Sequence, residues 1–291
     1  MTPALLSRRP LPVHEADDDK NDRGTIMVIG GEKSTPGAVV LAATAALRAG
    51  AGKLQIATAS SVAPFLGVAI PEALVLSLQE TRQGAIHRRA VGALADMAAR
   101  ADAIVIGPGM VDHPATSAFL ATLFDRLERG PVLVLDAGAV STLDGNGTLL
   151  ARHEGNLILT PHAGEMAALL GEDRDTVLRK PLEIALAAAR AYRAVTLLKG
   201  SETLVARTDG RAWRYSGGDV GLATSGSGDV LAGIIAGLAA RGADATTAAL
   251  WGVFLHGEAG NVLAARSGRI GLLARELSAE LPTLMENTAG G

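Results

Sequence analysis

Cysteine is absent from this 291-residue chain. Without a thiol there is no disulfide, no Cys-ligated zinc and no thiolate nucleophile, and the composition suits a reducing cytoplasm. Aromatic residues are scarce too, at 4 Phe, 2 Trp and 2 Tyr. Positive charge is not in excess: 27 Lys and Arg face 30 Asp and Glu for a net charge of −3, and no Lys/Arg block could track a phosphate backbone. Nucleic acid is therefore not an expected partner. Nor is a membrane, because no apolar run approaches the roughly 20 residues that span a bilayer. The most apolar windows, 37–52 and 230–240, are Gly/Ala-rich and are interrupted by Arg48 or closed by Arg241, and the N-terminus lacks the apolar core of a signal peptide.

What the chain does have is glycine, 35 residues, and a 48% hydrophobic content with mean hydropathy +0.26. That excludes disorder and supplies a sizeable core. Short, continuously apolar runs at 25–29, 53–57, 73–77, 103–106, 132–135, 157–159 and 195–198 read as strands buried on both faces. Helical stretches at 36–49, 87–100, 114–128 and 182–193 lie between them. The class is α/β, with a central, mostly parallel sheet between helical layers. Residues 203–207 and 211–215, joined by Thr208-Asp209-Gly210, read as a hairpin on the sheet edge. From Ser225 the sequence is helical to its end, with segments expected at 229–241, 244–266 and 272–285. A polar segment, 1–23, precedes what reads as a single domain over 24–291.

In such a sheet, ligands gather at the carboxyl ends of the strands. The residues expected there are Gly107-Pro108-Gly109, Asp136, Thr160-Pro161-His162-Ala163-Gly164-Glu165 and Lys199-Gly200. The stretch from Ser216 to Asp229 is richest, with glycines at 217, 218, 221, 226 and 228 leading into a helix. Glycine lets consecutive backbone N–H groups face an anion, and a helix N-terminus adds unpaired donors and partial positive charge. The stretch reads as a phosphate cradle. Asp229, the first carboxylate of that helix, is assigned as a base that also orients a substrate hydroxyl. Its position is expected to lower its pKa. The helix after it is apolar all round, and Gly233 and Gly237 at a spacing of four imply close packing against another backbone. His87, His113, His153 and His256 are expected to be surface or core residues, whereas His162 belongs to the site. No G-x-x-x-x-G-K-[ST], third glycine of G-x-G-x-x-G, G-x-S-x-G or H-E-x-x-H motif is present.

The ordered set Gly30-Gly31, Pro36-Gly37-Ala38, Gly107-Pro108-Gly109, Asp136-Ala137, Thr160-Pro161-His162-x-Gly164-Glu165, Lys199-Gly200-x-x-Thr203 and Gly226-Ser227-Gly228-Asp229 closely resembles the ADP- or ATP-dependent NAD(P)H-hydrate dehydratases. The resemblance runs from about Gly24 to Leu284. It implies a ribokinase-like three-layer αβα fold and repair of NADHX and NADPHX, the hydrated, redox-dead forms of the reduced nicotinamide cofactors. The nucleotide's terminal phosphoryl would activate the ring hydroxyl, whose loss as phosphate restores the dihydropyridine. Carried onto this chain, the resemblance places Ala38, Gly107, Gly109, His162 and Asp229 at the hydrated substrate. Lys199, Gly200, Ser201, Glu202, Thr203, Gly226, Ser227 and Gly228 would hold the adenine nucleotide, ADP with ATP possible, and Glu165 would help organise Mg²⁺. A cytoplasmic homotetramer lacking the epimerase half of the bifunctional enzymes, and so relying on a separate epimerase, is the implied assembly. With so few aromatics, the adenine and nicotinamide rings are expected against aliphatic and backbone surfaces rather than on a Tyr or Trp.

The chain departs from the family at Gly138, where a second acid is frequent, at Asp219 in place of Asn, at Ser225 in place of Ala or Gly, and at Met110-Val111 after the Gly-Pro-Gly turn. A small-molecule kinase of the same superfamily, of the hydroxymethylpyrimidine or thiazole kinase type, would use Asp229 and the anion hole identically. A nucleotide-sensing module without turnover and a nicotinamide-dependent dehydrogenase are the remaining alternatives, and the dehydrogenase lacks its dinucleotide fingerprint.

Overall fold

The computed structural model describes residues 1–15, 17–127, 129–143 and 150–289. Nine strands form one sheet: β1 (Thr25–Ile29), β2 (Lys53–Ala59), β3 (Ala73–Leu78), β4 (Ala103–Ile106), β5 (Val132–Leu135), β6 (Leu157–Leu159), β7 (Val195–Leu198), β8 (Thr203–Ala206) and β9 (Ala212–Tyr215). Their order is β3-β2-β1-β4-β5-β6-β7-β8-β9. All pairings from β3 across to β7 are parallel, and only β7–β8 and β8–β9 are antiparallel. The expected central parallel sheet with an antiparallel hairpin is thus present.

Both faces are covered. Along β1, Ile26 and Val28 enter one core with the helices Gly37–Arg48, Ser227–Ala240 and Ala245–Ser267, whereas Met27 and Ile29 enter the other with Val91–Ala98 and Pro114–Arg126. This alternation of faces along a continuously apolar strand is why the short runs carried no period-two pattern.

Boundaries moved by a few residues. β2 and β3 run further than the apolar runs implied, to Ala59 and Leu78. The helix expected over 87–100 opens as a 3-10 turn, Arg88–Ala90, capped by His87, and closes at Ala98. The last three helices are Ser227–Ala240, Ala245–Ser267 and Ala274–Ala289. The polar lead is tied to the body: Leu6 is fully buried, Trp251 Nε1 donates to the Arg9 carbonyl at 2.7 Å, and Arg241 Nη2 donates to the Pro12 carbonyl at 3.0 Å.

One packing contact positions the site. A Cβ on Gly233 would stand 2.1 Å from the Ala42 carbonyl oxygen, and one on Gly237 2.4 Å from that of Ala46. The helices Ser227–Ala240 and Gly37–Arg48 therefore run parallel in backbone contact. The same register, one turn earlier, sets Asp229 level with Ala38.

The Ala245–Ser267 helix is capped by Asp244, which accepts from Thr246 N at 2.9 Å, Thr247 N at 3.1 Å and Thr247 Oγ1 at 2.6 Å. Asp244→Ala should cost about 1 kcal/mol in urea unfolding. Turnover should stay unchanged, because the cap follows the C-terminal end of the Ser227–Ala240 helix, the end opposite Asp229, and does not line the cavity.

Candidate active site

The parallel strands deliver their carboxyl ends to one edge. There β4 ends in Gly107-Pro108-Gly109, β5 in Asp136, β6 in Thr160-Pro161-His162 and β7 in Lys199. Gly107 has φ +120 and a Cβ there would lie 1.8 Å from the Asp136 carbonyl oxygen, so only glycine lets β4 and β5 turn out side by side. Gly109 lies against Ala38, with a Cβ on Gly109 reaching the Ala38 methyl at 3.2 Å. The positions assigned to one substrate, Ala38, Gly107, Gly109 and Asp229, are in this way gathered around the start of the two parallel helices.

Two departures from the family pattern explain each other. A Cβ on Gly138 would come 2.6 Å from the Met110 carbonyl oxygen, so the chain after the Gly-Pro-Gly turn occupies space that a second acid would need. Asp219, which lines the cavity described below, accepts from Gly221 N at 3.0 Å and ties its loop to Arg269 beyond the Ala245–Ser267 helix, accepting from Arg269 Nε at 2.8 Å.

At the centre lies an ion cluster. Lys199 Nζ donates to Asp136 Oδ1 at 2.8 Å and stands 4.0 Å from Glu165 Oε2. Asp136, 2% exposed, also receives the Thr160 hydroxyl at 2.6 Å. Desolvation alone would lower the Lys199 pKa, but Asp136, Glu165 and Asp229 outweigh it and the ammonium is held more firmly than usual. Three carboxylates around one ammonium leave negative charge in excess. Burial raises the Glu165 carboxyl above its ordinary range, against the pull of Lys199. Burial and the Asp136 charge push Asp229 up to about 7.

That value corrects the expectation of a lowered Asp229 pKa. The helix begins at Ser227 with Gly226 as its N-cap, so Asp229 sits in the first turn as expected and is not a mere cap. Desolvation beside like charges outweighs the helix dipole there, whose effect is worth about 0.3–1 kcal/mol at exposed sites.

Beside the cluster opens a cavity of about 730 Å³. His162, Lys199, Gly200, Ser201, Thr203, Ser227 and Gly228 line it. Glu202 instead faces outward, with its carboxylate 3.3 Å from Arg214 Nη1. His162 does double duty: its Nδ1 caps the Ala163–Leu170 helix, accepting from Gly164 N at 3.0 Å and Glu165 N at 3.1 Å, while Glu165 Oε2 accepts from His162 N at 2.8 Å. This reciprocal box fixes where the Glu165 carboxylate points.

Two lining residues were not foreseen. His256, expected to be bland, faces the cavity with Nε2 3.0 Å from Ser227 Oγ. Tyr215 also lines it, donating its hydroxyl to Glu258 Oε1 at 2.7 Å, so one aromatic ring does stand beside the aliphatic Leu222, Leu231 and Val253. The structure joins the two: Gly257 sits next to His256 inside a buried helix, and a Cβ on it would lie 2.2 Å from the Tyr215 ring. The remaining histidines behave as expected, His87 and His113 as caps and His153 buried.

Comparison with known proteins follows the same lines. A family model described as NAD(P)H-hydrate dehydratase matches residues 26–283. The ADP-dependent (S)-NAD(P)H-hydrate dehydratase of Xanthomonas campestris is 50% identical over 100% of this chain and 97% of its own length. Among solved structures, the ADP/ATP-dependent NAD(P)H-hydrate dehydratase of Bacillus subtilis, co-crystallised with ATP and Mg²⁺, is 29% identical with a TM-score of 0.79, covering 99% of this chain and 97% of that one. A ribokinase-like superfamily protein of Enterococcus faecalis, 24% identical, superposes with a TM-score of 0.85 over 100% of this chain and 96% of its own, which establishes the ribokinase-like fold.

Proposed function

The chain belongs to the NAD(P)H-hydrate dehydratase family, and from that premise we propose that Asp229 is the base in an ADP-dependent dehydration of the S epimer of NADHX and NADPHX, giving the reduced cofactor, AMP and phosphate. The observation that carries the role is the Asp229 carboxyl itself: half-buried, level with Ala38 at the head of two parallel helices, and raised to about 7 by desolvation and Asp136. A group poised near neutral pH accepts a proton most effectively there.

The chemistry divides among the residues described. Asp229 takes the proton of the ring hydroxyl as that oxygen attacks the terminal phosphorus of ADP, and AMP departs. The phosphorylated hydrate then loses phosphate, which carries off the hydroxyl oxygen, and a proton leaves the neighbouring ring carbon to solvent as its C–H electrons form the ring double bond. Lys199, Ser227, Gly228 and the helix N-terminus face the phosphates with fixed donors, which is the main demand of phosphoryl transfer. Asp136 and Thr160 hold Lys199 in place. Lys199, Gly200, Ser201 and Thr203 line the cavity that would take the nucleotide, and His162 lines the same cavity.

Among the described residues no three His, Asp or Glu side chains gather as a closed metal cage. The excess negative charge at Asp136, Glu165 and Asp229 nevertheless fits Mg²⁺ arriving on phosphate oxygens, since this ion is usually held by one or two carboxylates plus phosphates and water. Glu165 would hold it, and when bound it neutralises charge on the transferring phosphoryl group. The same reading places the enzyme in the cytoplasm as a homotetramer, with ADP preferred over ATP and a separate epimerase supplying the S epimer. Among the described residues no helix is long and apolar enough to cross a membrane.

Incubation with NADHX, ADP and Mg²⁺ tests the activity. NADH absorbance is expected to appear in step with AMP. No NADH with either ADP or ATP, or ATP-dependent phosphorylation of a hydroxymethylpyrimidine or thiazole alcohol in its place, would sink the reading.

A further inference from the structure

We infer that His256 is a positioning residue, which turns the Ser227 hydroxyl so that its proton is offered to an anionic group of the nucleotide in the cavity. The inference rests on the nucleotide reading given above and adds a residue and a protonation state to it.

Two oxygens of one residue decide the matter. His256 Nε2 lies 3.0 Å from Ser227 Oγ and 3.0 Å from the Ser227 carbonyl oxygen. A carbonyl oxygen only accepts, so a nitrogen at that distance must carry the hydrogen. The ring is therefore the Nε2–H tautomer, sharing its proton between the carbonyl and the hydroxyl in a three-centre bond. A nitrogen that donates cannot also accept. The Ser227 hydroxyl has thus lost its nearest acceptor, and its own proton is left to point elsewhere.

Where it can point follows from the surroundings. Ser227 is 5% exposed and both it and His256 line the cavity, together with Gly228 and Lys199. Hydroxyl, backbone N–H groups at the helix start and ammonium are all donors, which suits a phosphate. The opposite tautomer would place a lone pair against the carbonyl oxygen, draw the serine proton inward, and present hydroxyl lone pairs to the anion. Desolvation and the Lys199 charge, against the Ser227 backbone bond, lower the imidazole pKa to about 4, so the ring is neutral and carries one proton at neutral pH.

Two measurements on the full-length protein test this. With ¹⁵N-labelled histidine and no nucleotide, long-range ¹⁵N–¹H correlation should show His256 protonated on Nε2 and bare on Nδ1; an Nδ1–H ring overturns the inference. Calorimetry with ADP should show His256→Leu and Ser227→Ala each weakening binding by about tenfold or more, the range of a hydrogen bond to a charged group. The double variant should be no weaker than Ser227→Ala, because one interaction is being removed twice. His256→Gln, whose amide can donate to the same oxygens, should restore affinity. Additive losses, or a Gln variant as weak as the Leu variant, overturn the inference. A wild type that binds no ADP yet shows Nε2–H refutes the nucleotide reading and leaves the hydroxyl orientation standing.

Discussion

Asp229→Asn is expected to lower turnover of NADHX by about 10²–10⁴-fold, the range that a positioned general base contributes. Affinity for ADP should change little, since the amide keeps the shape of the carboxyl and relieves rather than adds charge repulsion. Stability should move the opposite way. A carboxyl whose folded pKa is raised binds a proton in the native state where the unfolded chain has already released it, so the native state loses stability as pH rises from about 4 through about 7. The Asn variant escapes that loss and should unfold at higher temperature than the wild type above neutral pH. A variant that is both inactive and less stable at high pH would mean that Asp229 holds the structure rather than the proton.

Gly233→Ala should give the second large effect. In an open helix this change stabilises by roughly 1 kcal/mol, because alanine is the better helix former. Here the added methyl would lie 2.1 Å from the Ala42 carbonyl oxygen, and the two helices must part. A loss of about 1–3 kcal/mol is expected, the usual range for overpacking, together with lower turnover as Asp229 and Ala38 separate. Gly92→Ala supplies the control. Gly92 lies in the Val91–Ala98 helix with nothing within 4 Å of a Cβ, so the same substitution should stabilise by about 0.5–1 kcal/mol there. Thermal or urea unfolding of the two variants would show shifts of opposite sign. A stabilised Gly233→Ala would mean that the helices are not in backbone contact.

Much of the fold was legible because burial on both faces leaves a plain mark. The runs 103–106, 132–135, 157–159 and 195–198 became β4 to β7 with the bounds read from sequence. β2 was read short because Thr58 interrupts the apolar pattern, although it continues the parallel ladder opposite Ser77. The site was legible as a set of strand ends and one glycine-rich helix start, since each is a local pattern. Its electrostatics were not. Whether Asp229 sits high or low depends on Asp136 and Glu165, 93 and 64 positions away in sequence, and on how deeply all three are buried. His256 escaped notice for the same reason: its partner Ser227 lies on the preceding helix, 29 residues away. No local spacing records that meeting.

The pH dependence of kcat/KM for NADHX, with ADP saturating, tests the central claim most directly. A base must be deprotonated to work, so the rate should rise with pH and level off above an apparent pKa near 7, well above the ordinary carboxylate range near 4. The apparent value belongs to Glu165 and Asp229 as interacting carboxyls rather than to Asp229 alone. A profile that is already level from about pH 5 upward would contradict the claim, because it would place Asp229 among ordinary exposed carboxylates.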